Sequence, residues 1–389
     1  MRRALATGLG YAALLAGVAL RFDPGSALGT WNSDAAIPVL QSNDPDFDAF
    51  RLYYFGQDRF GAWPWLASQA VRALTGFVWT PWRAFLLQAA WACLGAVALC
   101  GLHRRAGPVL GATYAALALG SPLLPQELFG LGQPYGWQLT ALFFGWGAGK
   151  RWLEAMDDLR PPRTVALWGG AAVFWAVLAC WTSPVSVPLL LLGGWAEAAR
   201  LGWLAPARQF RVRWAIWASV PAAVGYAVER ELRHLFHRFS LKQFGHAYPT
   251  EVRLDVGHLK DNFVAVAAQL GAHPLAPLAG FGVGAALVSA GALAVVRRRG
   301  RVSLEVLPAV EAAVTSVSLA AAGLANAAIA TAVRHTRMNN YALRYFTPTL
   351  VLLTLAAAAG LWALVEWRLR AARREVASWL TAGALLSGA

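Results

Sequence analysis

The sequence predicts an all-α, polytopic membrane protein with about 10–11 transmembrane helices and further helices in its extracytoplasmic loops. Of the 389 residues, 58% are hydrophobic and only 14% are charged, a composition too apolar for a soluble enzyme. Apolar runs of roughly 17 to 25 residues recur along the chain, and each can cross a hydrocarbon core of about 30 Å as a helix. Helices are expected because lipid offers backbone amides no other hydrogen-bond partner.

Ten spans follow from these apolar runs. They cover residues 4–22, 77–102, 107–124, 136–149, 164–181, 184–200, 213–229, 273–296, 304–333 and 346–366. The first span is expected to be an uncleaved anchor rather than a signal peptide, because its apolar run continues to Leu20 without a prompt cleavage site. An eleventh apolar segment begins near Ala377, so we expect one transmembrane domain over 1–389 that is truncated within this segment.

Short basic clusters in alternate connections orient the spans. Pairs such as Arg104/Arg105 and Lys150/Arg151 mark one side as cytoplasmic by the positive-inside rule. The net charge of +14 therefore reflects topology rather than a nucleic acid partner. Two long connections then lie outside, at 23–76 and 230–272, and the second is expected to form short helices on the outer face.

Thiolate and imidazole chemistry is not indicated. Cys93, Cys100 and Cys180 lie inside apolar runs, which argues against a disulfide framework or a thiolate metal site. His234 and His237 have no carboxylate partner at convincing zinc spacing, so no metal site is predicted from them. The sequence also contains no Walker loop, serine-hydrolase elbow or dinucleotide fingerprint.

The first outside connection, 23–76, is the predicted catalytic loop. Asp34 follows Ser33 about a dozen residues after the first span, close to the outer membrane surface. A carboxylate there reaches both a lipid-linked headgroup and a water-borne acceptor, although Ser33 or Asp34 also suits the N-cap of a helix. Later in the loop, Leu66 and Leu74 belong to an apolar helical pattern that Ser68 and Gln69 interrupt, which predicts an amphipathic surface helix.

Two polar clusters lie between these features. Asp44, Asp46 and Asp48 alternate as in a calcium loop, which leaves a divalent-ion role open, but the glycine and terminal glutamate of an EF-hand are absent. Farther on, Gly56 and Gly61 bracket a polar turn held between aromatic residues. Its candidate binding residues are Tyr54, Gln57, Asp58 and Arg59.

A third cluster precedes the last predicted span. Its candidate binding residues are Arg337, Asn340, Arg344 and Tyr345. An arginine at this outer mouth can hold a phosphate by bidentate, charge-assisted hydrogen bonds. The alternative is that these arginines extend to the interface and contact lipid headgroups.

Together these residues resemble the GT-C class of membrane glycosyltransferases, specifically bacterial relatives of the dolichyl-phosphate-mannose mannosyltransferase family. The resemblance rests on the Ser33-Asp34 motif after the first span, the stretch from Tyr54 to Gly61, and an Arg-Tyr-x-x-Pro motif that begins at Arg344. It covers most of the chain loosely, and the match in the first loop is its most specific part.

The resemblance implies transfer of a sugar from a polyprenyl-phosphate donor on the outer face of the bacterial cytoplasmic membrane, with inversion at the anomeric carbon. Asp34 corresponds to the acidic residue that such enzymes use near the acceptor, and is the expected base. Ala35 stands where many relatives carry a second acidic residue. The implied partners are the lipid-linked donor and membrane lipids; no cofactor follows with certainty, and a divalent cation stays open.

Three alternatives remain at this point. A polymerase or ligase of lipid-linked glycans is the nearest, since it belongs to the same enzyme class. A lipid or solute transporter would place ionisable residues within the spans, whereas the acidic residues here are assigned mainly to loops. A non-catalytic scaffold would use the outer loops to bind a protein partner.

Overall fold

The described residues of the computed structural model form an all-α fold, as the sequence predicted. These residues are 2–22, 33–53, 60–121, 124–204, 212–244, 254–299, 307–333 and 342–368. Their fourteen α-helices are α1 (Arg2–Arg21), α2 (Ser33–Asn43), α3 (Trp63–Thr75), α4 (Pro81–Leu102), α5 (Ala106–Gly120), α6 (Leu124–Phe129), α7 (Tyr135–Asp157), α8 (Pro162–Thr182), α9 (Ser186–Leu204), α10 (Val212–Phe244), α11 (Val256–Gly271), α12 (Ala276–Arg299), α13 (Leu307–Ala332) and α14 (Thr347–Arg368). Short 3-10 helices at Ala49–Leu52 and Ala342–Phe346 complete the set.

The helices support a multi-pass membrane protein. Within the described ranges, five are long and apolar enough to cross a membrane: α4, α8, α12, α13 and α14. Helices α1 and α5 are apolar but shorter. Each of the ten predicted spans falls on a helix, and the three not yet mentioned correspond to α7, α9 and α10.

Several predicted boundaries differ from the observed ones. The span predicted at 107–124 ends at Gly120, and the separate short helix α6 begins at Leu124. Helix α10 continues to Phe244, so the connection predicted at 230–272 begins as an extension of a span. The extension follows from the sequence, since no glycine or proline interrupts residues 226–244. Helix α11 then starts after Asp255, whose side chain accepts a hydrogen bond from the His258 amide at 2.8 Å.

The last three spans pack through small residues. A side chain on Gly282 of α12 would overlap the backbone of Leu353 on α14. Gly360 of α14 lies against α12 and against Ser316 of α13, whose hydroxyl donates to the Ala356 carbonyl at 2.8 Å. Such close approach is typical of membrane helices, which gain little from the hydrophobic effect and pack through van der Waals contact instead.

Polar contacts define two ends of the bundle. At one end, which we call the basic end, Lys150 Nζ donates to the Leu102 carbonyl at 3.0 Å, and Arg105 lies 3.1 Å from Glu366. These contacts join connections that the charge pattern had placed on one side. The opposite end, which carries α2, α3 and their loops, is called the loop end. Its position outside the cell stays a prediction.

A buried ionic network joins the helices at the basic end. The guanidinium of Arg200 contacts Glu197 at 2.6 Å, Glu154 at 2.5 Å and Glu311 at 3.3 Å, which links α9 to α7 and α13. Glu197 and Glu311 lie inside predicted spans, and Glu154 lies on the helix that continues the span predicted at 136–149. The sequence did not show that these glutamates share one arginine.

His103 extends this network to the connection between α4 and α5. Lys150 Nζ lies 2.7 Å from His103 Nδ1 and Thr315 Oγ1 lies 2.7 Å from Nε2. Because a lysine ammonium only donates, Nδ1 accepts and the proton of the neutral ring sits on Nε2. Burial and the nearby charge of Lys150 lower the pKa of His103 to about 3, so the ring stays neutral.

The predicted amphipathic helix in the first loop is present as α3. Gln69 is 1% exposed while Leu74 is 86% exposed. The reason is that Gln69 Nε2 donates to the carbonyls of Asp44 and Asp46, each at 3.1 Å. Gln69 therefore holds the loop in place from a face of α3 that also buries Trp63 and Trp65. Leu74, at the other end of the helix, points away from the bundle, as expected for an interfacial helix in a membrane.

Candidate active site at the loop end

The structure describes three of the nine predicted site residues. Asp34 is the second residue of α2, and Arg344 and Tyr345 belong to the 3-10 helix Ala342–Phe346. The other six, Tyr54, Gln57, Asp58, Arg59, Arg337 and Asn340, lie outside the described residues. Helix α2 begins at Ser33, so Asp34 lies within its first turn, and the capping role considered for Ser33 or Asp34 stays a prediction because their side chains are outside the described part.

The aspartate cluster of the first loop encloses an arginine. Arg51 lies 2.8 Å from Asp44 and 3.2 Å from Asp46, and it also pairs with Asp48. Burial favours loss of its proton, but the hydrogen bonds to Asp48 and Asp44 outweigh this effect and raise the pKa of Arg51. The guanidinium occupies the place considered for a divalent ion. Among the described side chains, no group of His, Cys, Asp and Glu could hold a metal.

The stretch 54–59 is anchored at both ends. Tyr53 and Gly61 form an isolated antiparallel bridge, and the Gly61 amide donates to the Trp181 carbonyl of α8 at 2.9 Å. In return, Trp181 Nε1 donates to the Leu52 carbonyl at 2.9 Å. A side chain at Gly61 would overlap Trp181, so the close approach of the two backbones requires glycine.

The first anchor is also tied to α2 and α10. The buried hydroxyl of Tyr53 lies 3.3 Å from Oε1 of Glu229, which pairs with Arg233 one turn later at 2.7 Å. Gln41 Nε2 of α2 donates to the carbonyls of Arg51 at 2.7 Å and Tyr53 at 3.3 Å. The helix that carries Asp34 is thus connected through Gln41 to the base of the stretch 54–59.

The second anchor leads to the late arginine motif. The ring of Phe60 packs edge-on against Tyr135, the first residue of α7, with centroids 6.5 Å apart. Tyr135 and Glu127 of α6 both act electrostatically on Arg344, whose guanidinium carbon lies 5.4 Å from the Tyr345 ring centroid. We call Glu127, Tyr135, Arg344 and Tyr345 the Arg344 cluster.

Glu127 is the unusual member of this cluster. Its Oε2 is shielded from solvent and has no hydrogen-bond partner among the described residues. Burial raises the pKa of Glu127 to about 7, although the charge of Arg344 opposes the shift. Perturbed carboxyl groups of this kind are frequent at functional sites.

Arg344 is positioned by the helices around it. Asn326 of α13 donates to the Tyr345 carbonyl at 3.0 Å and to Thr349 Oγ1 at 2.9 Å. Phe346 is fully buried and packs against Val266 of α11 and a residue of α13. These contacts fix the turn before α14 and hold Arg344 at the loop end.

Sequence analysis missed Glu127 and Tyr135. Both lie in the short connection PQELFGLGQPYG, between two predicted spans. A useful signal was available, since Glu127 is the only ionisable carboxyl in a connection rich in glycine and proline. That signal could not show the proximity to Arg344, which comes more than 200 residues later.

Comparison with known proteins gives no assignment. No protein-family model matches the chain, and neither a curated protein nor a solved structure does. The chemistry of the loop end therefore has to carry the functional argument.

Proposed function

We propose that this chain is an integral membrane glycosyltransferase that moves a sugar from a polyprenyl-phosphate donor to an acceptor at the loop end. The observation that carries the proposal is the contact of Phe60 with Tyr135, which lies beside Arg344. It brings the end of the stretch 54–59 to the late arginine motif. Phe60, which follows the first polar motif, thus lies at the same end of the bundle as Arg344.

The proposed chemistry needs one base and one cation. A lipid phosphate leaves without protonation, so a second carboxylic acid, as used in glycoside hydrolysis, is not required. Asp34 takes the proton of the acceptor hydroxyl as the new glycosidic bond forms and the bond to phosphate breaks, a contribution typically of about 10²–10⁴-fold. Arg344, with Arg59 and Arg337, stabilises the charge that develops on the departing phosphate, a term of roughly 3 kcal/mol per donor.

The proposal includes an orientation. The loop end faces outside the bacterial cytoplasmic membrane, and the basic end faces the cytoplasm, in keeping with the positive-inside rule. The donor then reaches the Arg344 cluster from the outer leaflet, where its lipid chain remains in the membrane.

Native mass spectrometry of detergent-purified protein tests the donor class without a guess about the acceptor. The wild type is expected to retain a polyprenyl phosphate or its glycosylated form, and Arg344→Ala is expected to lose it. Arg163→Ala, which removes an exposed arginine at the basic end, is the matched control and should retain the lipid. Retention of ordinary phospholipids alone by the wild type would contradict the proposal.

The role of Asp34 is tested by transfer to a mixed acceptor pool. Asp34→Asn is expected to lower transfer by about 10²–10⁴-fold while donor retention persists, because a base acts on the acceptor. The control Asp46→Asn changes an exposed carboxylate of the same loop and should have little effect. Near-normal transfer by Asp34→Asn would exclude it as the base, and the mass of the product would separate a single transfer from glycan polymerisation.

A transporter is the second candidate, favoured by the buried ionic network at the basic end. Ionisable groups within membrane helices often mark ion or proton pathways. However, Glu311 lies four residues after the start of α13, or about 6 Å at 1.5 Å per residue, so the network is close to one surface. A flux that depends on a proton gradient, with no covalent product, would support this candidate over the enzyme.

A further inference from the structure

Glu127 is a partly buried acid, and one of its two carboxylate oxygens lacks a hydrogen-bond partner among the described residues. Its Oε2 has no hydrogen-bond partner in the described part of the protein, and Glu127 forms no direct ion pair with Arg344 there. Buried carboxylates are normally paired, because an isolated charge away from water is costly. The charges of Glu127 and Arg344 therefore act on each other. Each side chain can still form a hydrogen bond with another group.

The backbone around Glu127 is rigid. Leu128 and Phe129 of α6 are fully buried, and Gly136 of α7 packs so closely on the Leu128 carbonyl that any side chain would overlap it. Gln88 of α4 donates to the carbonyls of Gly130 and, at 3.0 Å, of Gln133 in the connection that follows α6. These contacts fix the backbone on the C-terminal side of Glu127.

We propose that Glu127 is the proton-linked counter-group of the Arg344 site, and that the protein takes up one proton on Glu127 when a phosphodiester binds Arg344. The inference rests on the proposed function, since it assumes that Arg344 holds the phosphate of a lipid-linked donor. Glu127 acts in this scheme as a positioning residue, and its proton comes from the solvent.

The electrostatics of the cluster give the direction of the linkage. Without ligand, the positive charge of Arg344 favours the ionised form of Glu127. The single negative charge of a bound phosphodiester offsets the positive charge of Arg344, so Arg344 no longer favours the carboxylate and Glu127 is protonated. The pKa of about 7 in the free protein allows this exchange near neutral pH.

The groups that surround Glu127 leave Arg344 as its main charged neighbour. Tyr135, from α7, acts on Arg344. The cations of the flanking segments are engaged elsewhere, since Arg21 donates to the Ser121 carbonyl at 2.8 Å and Arg83 of α4 donates to the Val78 carbonyl at 2.8 Å. Helix α4 faces the connection after α6 with the neutral amide of Gln88. Helix α5 and the first five turns of α14 carry no charged side chain.

The expected effect follows from proton linkage. Above the pKa of Glu127, each pH unit weakens phosphodiester binding up to tenfold, because a proton must be taken up from an increasingly dilute pool. If Glu127 stays protonated in the complex throughout this range, a pKa of about 7 in the free protein makes the dissociation constant rise about 30-fold between pH 6 and pH 8.5. Below pH 6 the constant should level off, since Glu127 is already neutral.

The experiment uses polyprenyl methyl phosphate as the probe, because a phosphodiester keeps one charge throughout this pH range. Its dissociation constant is measured from pH 6 to pH 8.5 for the full chain in detergent. The wild type should show the rise of about 30-fold, and Glu127→Gln, which mimics the protonated acid, should bind with nearly constant affinity. Glu231→Gln, an exposed acid at the loop end, should keep the wild-type pH dependence.

The outcomes separate this inference from the proposed function. Equal pH slopes for the wild type and Glu127→Gln, with binding lost in Arg344→Gln, would overturn the proton linkage and leave the phosphate site intact. Absence of probe binding, or binding that Arg344→Gln leaves unchanged, would overturn both. If Glu127→Gln fails to fold, calorimetry of probe binding to the wild type at pH 8, in two buffers of different ionisation enthalpy, measures the number of protons taken up. An uptake of zero would refute the inference.

Discussion

Replacing Arg200 with methionine tests how strongly the buried network at the basic end stabilises the bundle. The side chain of Arg200 is 4% exposed, and that of its closest buried partner, Glu197, is 11% exposed. Removal of the guanidinium leaves three glutamates, from α7, α9 and α13, without their shared cation. The cost of breaking such a buried pair is typically about 3–5 kcal/mol.

The structure favours the lower part of that range. Glu154 is 36% exposed and Glu311 is 22% exposed, so both can regain water when Arg200 is absent. Glu197 cannot, because it lies deepest in the network. We therefore expect Arg200→Met to lower the free energy of unfolding by about 3 kcal/mol.

Reversible unfolding in mixed micelles of a mild detergent and dodecyl sulfate measures this change. Arg163→Met, at an exposed position of α8, should remain within about 0.5 kcal/mol of the wild type. The double variant Arg200→Met/Glu197→Leu should recover much of the loss, because it removes the orphaned carboxylate as well. An Arg200→Met variant as stable as the wild type would refute the argument that this network holds α7, α9 and α13 together.

Two further predictions concern stability. Gly61→Ala should destabilise the protein by about 1–3 kcal/mol and reduce lipid-donor retention, because the new methyl group overlaps Trp181 and displaces the backbone at Gly61. Unchanged values in the unfolding and mass-spectrometric assays would contradict this. Because burial, with Lys150, lowers the pKa of His103 to about 3 against 6.5 for an ordinary histidine, the unfolded state binds the proton more tightly. The contribution of neutral His103 to the free energy of unfolding is therefore at its full value above pH 7 and is about 2 kcal/mol smaller at pH 5. His103→Asn should abolish this loss in the same unfolding assay.

Apolar periodicity predicted most of the fold. Runs such as 346–366 and 164–181 specify helices because their length and composition suit a hydrocarbon environment, whatever lies next to them. Helix ends were less certain, since the charged residues after 229 were assigned to a connection although no glycine or proline interrupts α10 between residues 226 and 244. The burial of Gln69 on α3 could not be predicted, because it is decided by the carbonyls of Asp44 and Asp46.

The sequence predicted the motifs of the candidate site but not which residues the fold brings together. Arg344 carries a recognisable pattern within its own segment, and the structure positions it through Asn326. Glu127 has no such pattern, and its significance depends on burial and on a cation more than 200 residues away. The aspartates at 44 to 48 resembled a metal loop because sequence alone does not reveal that Arg51 lies between them.

The bridge between Tyr53 and Gly61 has an evolutionary consequence. Tyr53 and Gly61 are bridged to each other, and Gly61 is bonded to α8, so the backbone on either side of residues 54–59 is held by contacts outside that interval. Doubling the length of such an interval costs only about 0.6 kcal/mol in closure entropy. Under the proposed function, substitutions within residues 54–59 can change the preference for sugar or acceptor while the membrane-spanning helices keep their sequence.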